Sequence, residues 1–297
     1  MLNLNINFIK LLFTGTFCLT ALTGCSVQNL LLQNAGNLLS KETTSGDDDI
    51  DLLRHASAYH LKLSESLLVE IPDHTQLAES VVRGYTQYAF VYFMDEADQI
   101  ESDSVQKASQ LRSRAAKMLL RAKSIGFKNL KLKYPQLDSY LQGKLDQNSL
   151  NFSVNDAGVV YWSMTSWAGA ISLSKDSPDV VADLPSVVRL AELAWHVNPQ
   201  FENGALASMM GTLELARPGG KSETAEKYYD LAIQWRGTQI APLISKAENW
   251  AVATQNKAVF VQLLSTAIDS SHAQNDLTNT VMRKRAQWLL DSIDNFF

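Results

Sequence analysis

The chain has 297 residues, with 26 lysines and arginines against 31 aspartates and glutamates, and a formal net charge of −5 at pH 7. No basic block supplies the clustered lysine and arginine that phosphate binding needs, which excludes nucleic acid as the partner class. Hydrophobic residues at 46% and aromatic residues at 9% exclude disorder for the bulk of the chain and leave enough apolar side chain for one large domain or an array of repeats.

At the N-terminus Lys10 precedes an apolar run from Leu11 to Leu22, followed by Thr23-Gly24-Cys25. The run is too short to cross a bilayer comfortably, and small residues stand where a peptidase must fit its substrate, so residues 1–24 read as an export signal. Leu22-Thr23-Gly24-Cys25 also resembles the bacterial lipobox, which implies cleavage before Cys25, lipidation of its thiol and acylation of the new amine; ordinary cleavage with a free Cys25 thiol is the alternative. Of the two cysteines, Cys18 leaves with the signal and Cys25 carries lipid, so no disulfide framework or thiolate metal site is expected. Ser26 in place of aspartate points to outer-membrane anchoring. Residues 25–49 read as a lipidated N-terminus and flexible tether, with Ser40 to Asp49 as a polar spacer.

From residue 50 to 297 helical periodicity recurs without strand-type alternation, which predicts a single all-α domain. Leu77, Val81, Tyr85 and Tyr88 share one helical face, Leu111, Ala115, Met118 and Ala122 another, and Met282, Ala286, Leu289, Ile293 and Phe296 a C-terminal one. Expected breaks fall at Pro72-Asp73, Gly126, Tyr134-Pro135, Asn155-Asp156, Ser177-Pro178, Asn198-Pro199, Pro218-Gly219-Gly220 and Ala241-Pro242. Ala194, Ala232 and Ala267 recur at separations near the roughly 34 residues of a tetratricopeptide repeat. The full consensus is missing, so the expected architecture is a helical array of degenerate tetratricopeptide-like pairs, a coincidental spacing being the alternative. Arg283-Lys284-Arg285, the densest basic cluster, reads as a solvated helix face.

Two motifs stand out. Tyr161 to Asp176 joins Trp162 and Trp167 to a run of small residues, including Ser163, Ser166, Gly169, Ala170 and Ser172, and so predicts a helix packed closely on several sides. Ala216-Arg217-Pro218-Gly219-Gly220 follows downstream. Together they resemble the T component of the tetratricopeptide-associated TRAP transporters, the TatT family of periplasmic lipoproteins, over Leu52 to Phe297. The resemblance implies a homotrimer with a pore through each protomer, lipid-anchored in the periplasm and bound to the solute-binding P component of a TRAP system. A generic envelope scaffold for outer-membrane assembly is the alternative.

Ligand or pore-lining candidates are Tyr85, Tyr88, Tyr161, Trp162, Trp167, Lys175 and Arg217, the last two because a cation beside aromatic rings can meet a carboxylate. Packing in the core is the competing role for the aromatic residues. No catalytic constellation emerges. His55, His60, His74, His196 and His272 lack metal-ligand spacing, and Ser-x-x-Lys occurs at both Ser104 and Ser172 without its companion motifs. Neither an enzymatic activity nor a metal or cofactor is expected.

Overall fold

The computed structural model describes residues 28–41, 49–146, 149–270 and 277–297. The expected export signal and Cys25 lie outside them. Every regular element among the described residues is helical, as the periodicity predicts.

Helix α1 (28–39) occupies part of the stretch expected to be a loose tether. Its Leu32 and Leu39 lie against the main core, and Asn37 Oδ1 is 3.1 Å from His74 Nε2. His74 is buried and caps α3 (Thr75–Ala89), its Nδ1 accepting the Leu77 N–H at 3.1 Å, so one imidazole satisfies a helix end and straps α1 to the body. Helix α2 (Ile50–Glu70) begins at Asp49, whose carboxylate accepts from the N–H groups of Asp51 and Leu52.

The long α5 (Val105–Lys133) is capped by Ser104, which accepts from Lys107 N–H; the Ser-x-x-Lys there is a helix start. Gly126, expected to break the chain, lies inside this helix. A Cβ there would collide with Ser163 Oγ on α7 (Ala157–Ser172), so the glycine marks a helix crossing. Helix α7 is buried along nearly its whole length, enclosed chiefly by α3, α5 and α9 (Leu184–Val197). Its small residues let backbones approach while Met164, Trp167 and Ile171 fill the spaces between. Short helices α4 (Asp95–Ile100), α6 (Leu137–Leu141) and α8 (Pro178–Val181) link these longer ones.

Helices α10 (Phe201–Ala216) and α11 (Ser222–Trp235) form a tightly crossed pair, with Ala225, Tyr229 and Ala232 buried at the crossing. A second core lies beyond it, built from α12 (Ala241–Ser245), α13 (Lys257–Ser270) and α14 (Leu277–Asp291). Ala194, Ala232 and Ala267 are all buried, though at different crossings.

The two ends of the domain are joined by a buried ion cluster. Arg285 is 7% exposed, so the expectation of a solvated basic face fails at that residue. Its Nη1 lies 2.7 Å from Asp95 Oδ1, its Nη2 2.5 Å from Glu248 Oε1 and 3.1 Å from Asp98 Oδ2. Two π-helical segments serve this cluster: Phe90–Met94 ends just before Asp95, and Lys246–Ala251 contains Glu248. An extra residue in a turn re-aims the side chains that follow it. Burial works against the guanidinium charge, and Glu248 and Asp95 more than restore it; burial raises the pKa of both acids despite Arg285.

Removing Arg285 leaves enclosed carboxylates without their counter-ion. Arg285→Met should cost about 3–5 kcal/mol in urea unfolding at pH 8. The loss should shrink toward pH 5, where the orphaned acids take up protons, and a pH-independent loss would contradict the ion-cluster account.

Candidate functional site

Of the residues singled out by sequence, Tyr161 and Trp162 come together, their rings edge-to-face at 5.1 Å, with Phe201 5.0 Å from Tyr161. The Arg83 guanidinium carbon lies 5.7 Å from the centroid of the Trp162 ring. Arg83 is ion-paired at 2.7 Å with Glu79, one turn earlier on α3. The Glu79 carboxylate rests on the α7 backbone at Gly158, where any Cβ would displace it.

Glu202 completes the group. It opens α10 in the left-handed region together with Asn203 and Gly204, at φ values of 45°, 52° and 93°. Asparagine and glycine tolerate that region, but glutamate pays a steric penalty on the order of 1–2 kcal/mol. The strained turn sets the Glu202 carboxylate within electrostatic reach of Glu79, Arg83 and Tyr161 while leaving the residue open to solvent. Burial, and then the Glu202 charge, push the Glu79 pKa up to about 7. The ion pair with Arg83 at 2.7 Å favours the charged form and so works the other way. Burial likewise raises the Glu202 pKa, against the pull of Arg83, so both carboxylates are biased toward their neutral forms over an aromatic floor.

The other candidates sit elsewhere. Trp167 donates its indole N–H to Asp183 at 3.0 Å, and Lys123 Nζ stands 3.6 Å from its ring centroid. Tyr85 donates to Glu65 at 2.8 Å, where Arg121 also binds; burial and that carboxylate raise the phenol pKa to about 12. Tyr88 is half-buried against Tyr92 and Phe93. Lys175 is exposed beyond the end of α7.

Arg217 lines a groove of about 360 Å³ between α9, α10 and α11, with Trp195 and Tyr228 among its walls. The glycine motif explains its placement. Pro218 and Gly219, at φ +75°, turn the chain so that Gly220 N–H bonds back to Arg217 O at 3.1 Å. Lys221 N–H then reaches Glu214 Oε1 at 2.9 Å, while Arg217 Nη2 holds Glu214 Oε2 at 2.6 Å.

Sequence reasoning missed Glu79, Arg83 and Glu202. The four-residue spacing of the first two was a visible signal for an ion pair on one helix face. Glu202-Asn203-Gly204, just after Pro199, has turn-like composition. No group of three or more His, Cys, Asp or Glu residues among the described residues could hold a metal ion.

The model of the TRAP transporter T-component family matches residues 46–297. The chain belongs to that family. It is also similar to an uncharacterized protein of Treponema pallidum (strain Nichols), at 25% identity over 262 residues covering 84% of this chain and 81% of that protein.

The proton on Glu79 links stability to pH. Because the folded-state pKa is raised, the folded protein holds a proton that the unfolded chain releases near pH 4.5, so stability falls as pH rises from there to about 7 and is level above. Glu79→Gln should remove that slope, gaining about 1–2 kcal/mol over wild type at pH 8 relative to pH 5; this allows for partial exposure and for Arg83. Equal pH profiles of thermal midpoint for the two proteins would refute the assignment.

Proposed function

We propose that this protein is the lipid-anchored periplasmic accessory subunit of a TRAP-type solute transporter, that it docks the solute-binding protein, and that it passes a small organic ligand to or from it without chemical turnover. The family match over residues 46–297 carries this reading. Among the described residues no helix is long and apolar enough to cross a membrane, which suits a subunit held by lipid at Cys25 on the outer membrane.

The surface supports docking and trimer formation. Leu52, Tyr59 and Leu63 follow one another at spacings of seven and four along one face of α2, at 55%, 73% and 44% exposure. Val69 on the same helix and Leu30, Leu31 and Leu38 on α1 are also exposed. Apolar side chains at coiled-coil spacing, left open on a long helix, are the kind of surface that a second copy or a protein partner covers. Helical arrays suit the task because they offer extended faces with little conformational cost.

The lipidated chain, mixed in detergent with the TRAP solute-binding proteins of its host and measured by size exclusion with light scattering, should form a stoichiometric complex. Tyr59→Glu combined with Leu63→Glu should either reduce the oligomer mass to that of the monomer or lower the complex yield at least tenfold, with helicity unchanged. A wild-type protein that stays alone with every such partner would instead favour a scaffold at the outer membrane.

A further inference from the structure

The groove between α9, α10 and α11 is lined by Glu192, Glu214 and Arg217, and Arg189, which donates to Leu141 O at 2.9 Å, joins them at its edge. Glu192 and Arg217 both line it and the adjoining depression beside Leu184 and Pro218. Glu192 is exposed and makes no hydrogen bond or ion pair with the described residues. Arg217 is fixed from behind, since Glu214 is 6% exposed and is itself held by Lys221 N–H. That contact uses one guanidinium nitrogen, and the remaining N–H donors of the fork stay available.

Between Glu192 and Arg217 the wall is mixed, with His196 and Thr224 beside an apolar strip. Ala191, Met210 and Leu213 are buried there, and Trp195 meets Tyr228 edge-to-face at 5.2 Å. A volume of about 360 Å³ lies within the range of small-molecule sites, roughly 300–1,000 Å³. A plain anion drawn to Arg217 would face Glu192 and Glu214, and a plain cation drawn to Glu192 would face Arg217 and Arg189. Each charge thus selects against the ligand the other would take alone.

We propose that this groove binds a zwitterionic, amino-acid-type ligand, with its carboxylate on Arg217, its ammonium on Glu192 and its apolar side chain against Trp195 and Tyr228. The inference deepens the solute-handling part of the proposed function and rests on that part alone. Glu214, buried at the groove wall, acts as a positioning residue that aims Arg217.

Calorimetric titration of the full chain in detergent with L-phenylalanine, L-leucine, phenethylamine and 3-phenylpropionate tests it. Both amino acids should bind, and phenethylamine and 3-phenylpropionate should bind at least tenfold more weakly than phenylalanine. Glu192→Gln should erase most of the preference for phenylalanine over 3-phenylpropionate. Arg217→Lys, which keeps the charge but loses the fork, should weaken both amino acids tenfold or more while the thermal midpoint stays near that of wild type. Failure of the wild-type protein to bind any of the four, equal binding of phenylalanine and its two analogues, or unchanged discrimination in Glu192→Gln would overturn the inference. A complex with the solute-binding protein in the same preparations would show that the docking role survives such a failure, and amino-acid binding without a complex would show the reverse.

Discussion

Helix α7 can be enclosed only because its surface is thin. Ser163 and Ser166 are fully buried beside Met164 and Trp167, and the α5 backbone crosses at Gly126 where a single methyl would meet Ser163. Close packing of this kind leaves little room for relaxation, so neighbouring helices cannot shift without losing contacts. The candidate site inherits that rigidity. Glu79 rests on Gly158 of the same helix, and Tyr161 and Trp162 extend from it toward Glu202. Preorganisation of the carboxylates and Arg83 is therefore a by-product of helix packing, with local strain at the site confined to the turn at Glu202 and Asn203.

Charge is handled differently at the site and at the domain ends. Around Glu79 two acids face one base, burial biases both toward their neutral forms, and the Glu202 residue is exposed. Around Arg285 three acids converge on one base behind Phe90 and Trp288, with side chains of Gln99 and Arg112 bonding Asp95 and Asp98 in turn. The first arrangement suits exchange with solvent. The second holds distant segments together.

Much of this was legible in the sequence because burial writes a period into a helix. Leu77, Val81 and Tyr85 are buried as their spacing requires, as are Ala286 and Leu289 near the C-terminus. The small residues around Trp162 and Trp167 announced an enclosed helix, and Arg217-Pro218-Gly219-Gly220 announced a turn. What stayed hidden depends on contacts between distant segments or on breaks in the period. A π-helical turn shifts the face by one residue, which no fixed spacing detects, so the aim of Asp95 and Glu248 could not be read. Helix α1 is neutral and rich in glutamine and asparagine, so its attachment through Asn37 and His74 looked like tether. Glu79 and Glu202 belong to helices far apart in the chain, and only the left-handed turn brings their charges close.

The bond between Arg285 and Asp95 spans 190 residues, so α4 cannot acquire its buried counter-ion until nearly the whole polypeptide is present. Contacts of such long range form late, after shorter loops have closed.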